Sequence, residues 1–401
     1  MNASQHILEG LDALPAAAQA LQRILLVADA SFPYLNIRDQ VLRAVHPVAL
    51  FDAFHSNPVD EEVRAGDALF REHRCDALVA VGGGSAMDVA KCIKLLEIGR
   101  DSAACAIPLI AIPTTAGTGA ESTGNAVYYL DGVKQTVAHP CIRPDYAFLE
   151  PSVLGTLPPY QKKCTLMDAL CQAIESWWSV AATPESRGYS ESAIRLIMPS
   201  WHAYLFHYTP AAARNIMLAA NYAGRAIHIA HTTAAHAMSY KLGSLFGLSH
   251  GHAVAVCLPE IWEYMLVHAD APTQAVFADI AAAMCAPDYG APFPEGIVSE
   301  TVSASLRPRP PATPAGPSLL CGRGWPQVSD TIPSSNFAPS AALALFRAMM
   351  AEIGLEGPVA GEDREALLDT LAGAVNQTRL RNNPVALDYD TCKMLYDKIV
   401  R

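Results

Sequence analysis

The sequence predicts an α/β amino-terminal domain built on a parallel sheet, residues 1–158, followed by an all-α domain, residues 159–401. Three observations predict it. Over roughly the first 150 residues, short apolar runs alternate with helical patterns, which is how parallel β/α units read, because their strands are buried on both faces. The strand signal stops near Thr156-Leu-Pro-Pro159, and helical periodicity takes over. A chain of 401 residues also exceeds what one core comfortably holds, so two are expected.

The strands expected in order are Ile24–Ala28, Val48–Phe51, Ala77–Val81 and Ile107–Ile112. Ala126–Leu130 and Val133–Val137 flank Asp131-Gly132, which supplies the positive φ of a two-residue hairpin turn and is expected to close the first domain. After the third strand, Gly82-Gly-Gly-Ser85 opens onto the helical pattern Met87-Asp-Val-Ala-Lys91, so phosphate would meet free N–H groups at a helix start. Helical periodicity then covers Gln161–Val180, Glu185–Leu205 and Ala211–Leu245. From about Pro287 to Pro339 neither period survives; Arg307-Pro-Arg-Pro-Pro-Ala-Thr-Pro-Ala-Gly-Pro317 is its densest proline run, and a long surface loop is expected.

Composition excludes several function classes. The chain is 51% hydrophobic and 17% charged, with no apolar stretch near the ~18 residues that suggest a membrane span. A net charge of −11 without Lys/Arg clusters argues against nucleic-acid or anionic-membrane partners. The 10 cysteines lack CxxC spacing and sit largely in apolar patterns, as reduced core thiols do. No basic segment leads into an apolar one at the amino terminus, so no signal peptide is expected and the cytoplasm is the expected compartment.

The chemistry concentrates in the helical half. His236 and His250 bracket one run, and Asp168 precedes them in another. Residues four apart on a helix share a face, which pairs Asp168 with Gln172 and His236 with Tyr240, each pair holding one strong ligand. A histidine on an apolar helix is by itself more often a satisfied core residue. An anionic oxygen with two imidazoles is a mixed set that suits Zn²⁺ or Fe²⁺, and the constellation favours a buried metal. A metal beside a phosphate-binding turn points to redox chemistry.

These motifs together resemble the iron-containing, or group III, alcohol dehydrogenase family. The matching elements are Asn57-Pro58 ahead of Val63-Arg-Ala-Gly66, Gly82-Gly-Gly-Ser-Ala-Met-Asp88, Pro113-Thr-Thr-Ala-Gly-Thr-Gly119-Ala-Glu121, the Asp168 helix and the His236 to His250 segment. The resemblance implies a nucleotide-binding α/β domain, a helical metal domain and a cleft between them, the dehydroquinate synthase-like architecture. It implies nucleotide contacts at Gly82, Gly83, Gly84, Ser85, Asp88, Thr114, Thr115 and Thr118, and metal ligands at Asp168, Gln172, His236 and His250. Gln172 departs from the family's histidine, so three strong ligands are expected, with Gln172 weak. Longer matches at Tyr160 to Trp178, Thr232 to Lys241, Ser249 to Ala255 and Arg381-Asn-Asn-Pro384 resemble the phosphonoacetaldehyde reductase branch. That branch implies NAD(P)H-dependent reduction of phosphonoacetaldehyde to 2-hydroxyethylphosphonate in phosphonate natural-product biosynthesis.

An anionic aldehyde in an acidic chain needs local cations. Lys163 and Lys241, beside metal-helix residues, are the leading candidates, with His252, Lys162, Arg225 and His139 as further ones. The catalytic set expected is therefore Asp168, His236, His250, Lys241, Lys163 and His252. Asp29 ends the first strand, where a carboxylate can bind a ribose 2′-OH and repel a 2′-phosphate, which favours NADH over NADPH. A homodimer is one open expectation for assembly. Competing readings are a dehydrogenase of another small alcohol, a lyase like dehydroquinate synthase, and a catalytically degenerate scaffold.

Overall fold

The computed structural model describes residues 5–285 and 338–401, so the Pro-rich stretch lies outside the described residues except at its end, where Pro339 begins a helix. The first half alternates as expected: β1 (His6–Glu9), α1 (Leu14–Ala18), β2 (Ile24–Ala28), α2 (Arg38–Val45), β3 (Ala49–Phe51), α3 (Asp60–Glu72), β4 (Ala77–Gly82), α4 (Gly84–Arg100) and β5 (Leu109–Pro113). The hairpin β6 (Asn125–Leu130) and β7 (Val133–Ala138) and the strand β8 (Tyr146–Leu149) follow. Six strands form one parallel sheet in the order β1-β8-β5-β4-β2-β3. Every residue of β2, β4 and β5 is buried, which explains their unbroken apolar runs. The four-residue edge pair β1 and β8 was not anticipated, because His6 and Tyr146 leave no continuous apolar run.

Winding proceeds outward from β2 to β3, then crosses back over β2 to β4 and continues through β5. The direction reverses between β2 and β4, and ligands of open parallel sheets bind outside the carboxyl ends at such a point. Asp29 and Gly82 stand there, at the ends of these two strands. In the hairpin, Asp131 (φ 50°) and Gly132 (φ 73°) both adopt the left-handed conformation, as the tight turn requires.

Among the described residues after Leu149, regular structure is helical: α5 (Pro159–Trp178), α6 (Pro184–His202), α7 (Pro210–Ala230), α8 (Ala234–Phe246), α9 (His250–His268) and α10 (Ala271–Cys285), then Pro339–Ile353, Arg364–Gly373, Gln377–Leu380 and Tyr389–Ile399. The pattern read across Ala211–Leu245 is two helices, broken where His231 takes φ 59°. Trp178 anchors the core, edge-on to Trp262 at 5.3 Å and to Phe277 at 5.8 Å. No described helix is long and apolar enough to cross a membrane.

Candidate active site

The candidate metal ligands are brought together by three helices. Asp168, Gln172 and Glu175 lie at i, i+4 and i+7 of α5 and are all buried. The break at His231–Thr233 redirects the chain so that α8 starts beside Glu175 and carries His236 in its first turn. His250 opens α9. Its neighbour Gly251 lies so close to α5 that a Cβ there would stand 2.0 Å from the Cys164 carbonyl oxygen, so only glycine permits this approach. His236 Nε2 comes to 3.4 Å and His250 Nε2 to 3.8 Å from Asp168 Oδ1.

These groups fit a cation. The donor atoms of Asp168, His236 and His250 all lie within 4.8 Å of one another. Asp168 Oδ1, His236 Nε2 and Gln172 Oε1 are buried without a hydrogen-bond partner, although buried polar atoms are nearly always satisfied. Gln172 Nε2 donates to the Thr118 carbonyl at 3.5 Å, leaving its amide oxygen to the ligand group. Gln172 thus presents an unpartnered neutral oxygen beside the three stronger donors.

Glu175 orients the set. Its Oε2 meets His236 Nδ1, while Oε1 accepts from the amides of Thr233 (3.1 Å), Ala235 (2.9 Å) and His236 (3.3 Å) and from the Thr233 hydroxyl (2.9 Å). One carboxylate caps the start of α8 and fixes the imidazole so that Nε2 keeps its lone pair. Burial opposes charge on His236, but Glu175 and Asp168 outweigh it and raise its pKa. Burial lowers His250 to about 3, with Asp168 opposing; although 40% of the side chain still faces the cleft, the consequence is a neutral ring able to ligate.

A cavity of about 280 Å³ joins this group to the nucleotide turn; Gly84, Ser85, Asp88 and Thr118 line it together with Asp168, Gln172, His236, Tyr240 and His250. Gly82, Gly83, Thr114 and Thr115 form the cradle behind. Thr114 N donates to the Gly82 carbonyl at 2.9 Å, and the Cβ position of Gly83 lies 3.4 Å from the Thr115 methyl. Gly82 has φ 153°, and a Cβ there would stand 2.5 Å from Asp29 Oδ2. That same oxygen accepts from Gly83 N at 3.1 Å, so Asp29 braces the turn as well as standing at the sheet edge. Burial raises the Asp88 carboxyl to about 7, with Lys91 and Lys134 opposing.

The cations differ from those expected. Lys163, Lys241 and His252 are not among the residues lining this cavity; His252 is tied to Tyr160 Oη at 3.0 Å and to the Glu356 carbonyl at 2.9 Å. The cavity's cations are Lys134 of β7 and Arg379 of the short helix Gln377–Leu380. Lys134 Nζ stands 3.7 Å above the Tyr240 ring, whose other contacts include a stack on His250 at 5.9 Å. Arg379 donates to Thr232 Oγ1 at 2.5 Å. Lys163 and Lys241 were favoured because they adjoin ligand helices in sequence, but adjacency does not fix which way a helical side chain faces.

Comparison with known proteins gives the family. The iron-containing alcohol dehydrogenase model matches residues 5–151 and its carboxy-terminal counterpart, Fe-containing alcohol dehydrogenase family, C-terminal, matches residues 163–302. The 4-hydroxybutyrate dehydrogenase of Cupriavidus necator is 32% identical over 311 residues, 71% of this chain and 80% of that one. The chain belongs to the iron-containing alcohol dehydrogenase family. Within it, the probable alcohol dehydrogenase EutG of Salmonella typhimurium is 38% identical over 51% of this chain and 55% of its own. The phosphonoacetaldehyde reductase of Streptomyces viridochromogenes is 35% identical over 58% of this chain and 63% of its own. The chain therefore spans less than two thirds of the length of these last two relatives. The fold extends further than the sequence matches: a sulfoacetaldehyde reductase from Bifidobacterium kashiwanohense, solved with NAD⁺, superposes with a TM-score of 0.77 over 98% of this chain and 96% of that one, at 23% identity.

The residues that sequence reasoning missed are Glu175, Lys134 and Arg379. Glu175 had a local signal, since it lies seven residues beyond Asp168 on one helical face. Lys134 had a weaker one, because strand alternation puts it on the face of Thr136, another cavity residue. Arg379 had none.

Proposed function

We propose that the chain is a metal-dependent, NAD(P)H-linked reductase of small aldehydes with an anionic end, phosphonoacetaldehyde foremost, acting in the cytoplasm in phosphonate biosynthesis. One observation carries this reading: the ligand set Asp168, His236 and His250 shares its cavity with two cations, Lys134 and Arg379, that have no carboxylate ion pair among the described residues. An acidic chain holding unpaired cations in its cleft is suited to an anion. Phosphonoacetaldehyde and 4-hydroxybutyrate, named for two relatives, both carry one.

When bound, a divalent ion supplies Lewis-acid polarisation of the carbonyl and the dinucleotide supplies hydride. Asp168, His236 and His250, with Gln172 Oε1, would hold that ion, and Glu175 keeps His236 oriented. The uncapped first turn of α4, from Gly84, offers N–H groups to the dinucleotide phosphates. Lys134 and Arg379 would fix the anionic end so that the carbonyl lies toward the ligand set. Burial raises the Tyr240 phenol, which therefore stays a neutral hydrogen-bond donor.

The test is a panel of aldehydes followed at NADH absorbance. Phosphonoacetaldehyde should exceed a neutral aldehyde of similar size in kcat/KM; equal values would remove the anionic specificity and leave a general alcohol dehydrogenase of the EutG kind. Absence of both metal retention and NADH oxidation would leave only a scaffold. Lys134→Ala or Arg379→Ala should lower kcat/KM for phosphonoacetaldehyde about ten- to hundredfold, because a charge-assisted hydrogen bond is worth roughly 1.5–3 kcal/mol, while sparing the neutral aldehyde. A matching loss on both substrates with a raised KM for NADH would assign the cation to the dinucleotide instead.

Burial and Arg379 lower Lys134 to about 8. Because the ammonium is charged below that value, kcat/KM for the anionic substrate should fall as pH rises through about 8, and the fall should vanish in Lys134→Ala. Asp29→Gly should raise NADPH use relative to NADH by removing charge repulsion. Since Asp29 also braces the Gly83 amide, both cofactors should bind more weakly in absolute terms; an unchanged kcat/KM ratio would place Asp29 outside cofactor discrimination.

A further inference from the structure

A second group of metal-ligand side chains lies outside the lining of the cleft. Cys105 sits in the turn Ser102–Ala106 after α4, while His139 and Cys141 open the turn Pro140–Ile142 after β7. Two sulfurs and a ring nitrogen from these three residues lie within 4.8 Å of one another. The group is at the opposite end of α4 from the phosphate-facing turn, and that 17-residue helix is about 25 Å long at 1.5 Å per residue. Cys105 precedes β5 and Cys141 precedes β8, at the amino-terminal ends of these strands, opposite the end where Gly82 stands.

We propose that Cys105, His139 and Cys141 form a second metal site, structural in role, for a thiophilic divalent ion such as zinc, with water completing the coordination. Two thiolates and an imidazole are the donor set zinc prefers. Zinc bonds of ~2.3 Å to sulfur and ~2.0–2.1 Å to nitrogen place tetrahedral donors about 3.5–3.8 Å apart, so capture closes no pair by more than about 1.3 Å. All three residues are half-buried and can be reached from solvent. Both thiols lose their protons to the medium as two metal–sulfur bonds form, and the ring contributes a lone pair. His139 Nδ1 now accepts from Cys141 N at 3.2 Å, a hydrogen bond that ligation through that nitrogen gives up.

One buried ammonium stands beside the pair. Lys94, 1% exposed, holds its ammonium 3.9 Å from Asp145 Oδ2 and close enough to both sulfurs for their charges to act on it. A disulfide between Cys105 and Cys141 is the competing chemistry, but it leaves the third donor, His139, without a part. Metal capture uses all three and pins the exit of α4 to the segment ahead of β8.

Cobalt distinguishes this site from the one in the cleft, which has no thiolate. Reduced protein titrated with Co²⁺ should develop a thiolate-to-cobalt charge-transfer band in the near ultraviolet, which saturates at one equivalent when the cleft set is disabled by His236→Ala. The band should persist in His236→Ala, vanish in Cys105→Ser and Cys141→Ser, and shift in His139→Ala. Zinc should raise the melting temperature of His236→Ala but not of the double variant His236→Ala/Cys105→Ser, in which the cleft set is disabled as well. Circular dichroism establishes that each variant is folded, with Cys→Ala replacing a serine variant that is not. A folded wild type without the band, or a band that survives both cysteine substitutions, overturns the proposal. So does loss of two titratable thiols on mild peroxide treatment without metal uptake, which would make the pair a redox couple. None of these readouts depends on aldehyde reduction.

Discussion

His236→Ala is expected to leave a folded protein that loses its cleft metal on dialysis and reduces aldehyde about a thousandfold more slowly. The imidazole Nε2 is buried without a hydrogen-bond partner, so its removal costs little internal bonding beyond the contacts to Glu175 and to Asp168 Oδ1, 3.4 Å away. What it removes is one of three strong ligands. Lewis-acid stabilisation is worth several kcal/mol, and each 1.36 kcal/mol is a decade in rate. Gln172→Ala should have a smaller effect on metal retention, because a neutral amide oxygen is a weaker donor than a carboxylate or imidazole. Elemental analysis after dialysis, beside initial rates with saturating NADH, checks both. A His236→Ala protein with wild-type metal and turnover would show that the ligand set is wrong.

The parts of this molecule that local periodicity controls were legible in the sequence. β2, β4 and β5 are buried on both faces and therefore read as unbroken apolar runs, and Asp131-Gly132 announced its turn through the conformation it must adopt. Asp168, His236 and His250 could be grouped because ligand chemistry is rare on apolar helices and the family pattern supplied their association. The cations could not be found in this way. Whether Lys134 faces the cleft depends on how the hairpin docks, and Arg379 reaches Tyr240 from 139 residues further along the chain. Lys163 and Lys241 show the converse, since proximity in sequence to a ligand did not bring them to the cavity.

Glu175 separates fold from chemistry most sharply, and two substitutions there should give opposite phenotypes. Glu175→Ala deprives three backbone amides and the Thr233 hydroxyl of their acceptor in a fully buried place. Breaking such a buried charged network costs about 3–5 kcal/mol, so this variant should melt well below wild type whether or not metal is present. Glu175→Gln keeps an acceptor oxygen for those donors and should melt close to wild type. Its other terminal atom, however, is now an amide NH₂ that donates toward His236 Nδ1. The imidazole must then accept there and carry its proton on Nε2, where the lone pair for the metal is needed. Loss of such an orienting partner typically costs ten- to hundredfold in metal affinity, so competition with a chelator should show that loss in a protein of nearly unchanged melting temperature. Unchanged metal affinity in Glu175→Gln would mean that Glu175 only caps α8 and has no part in presenting His236 to the metal.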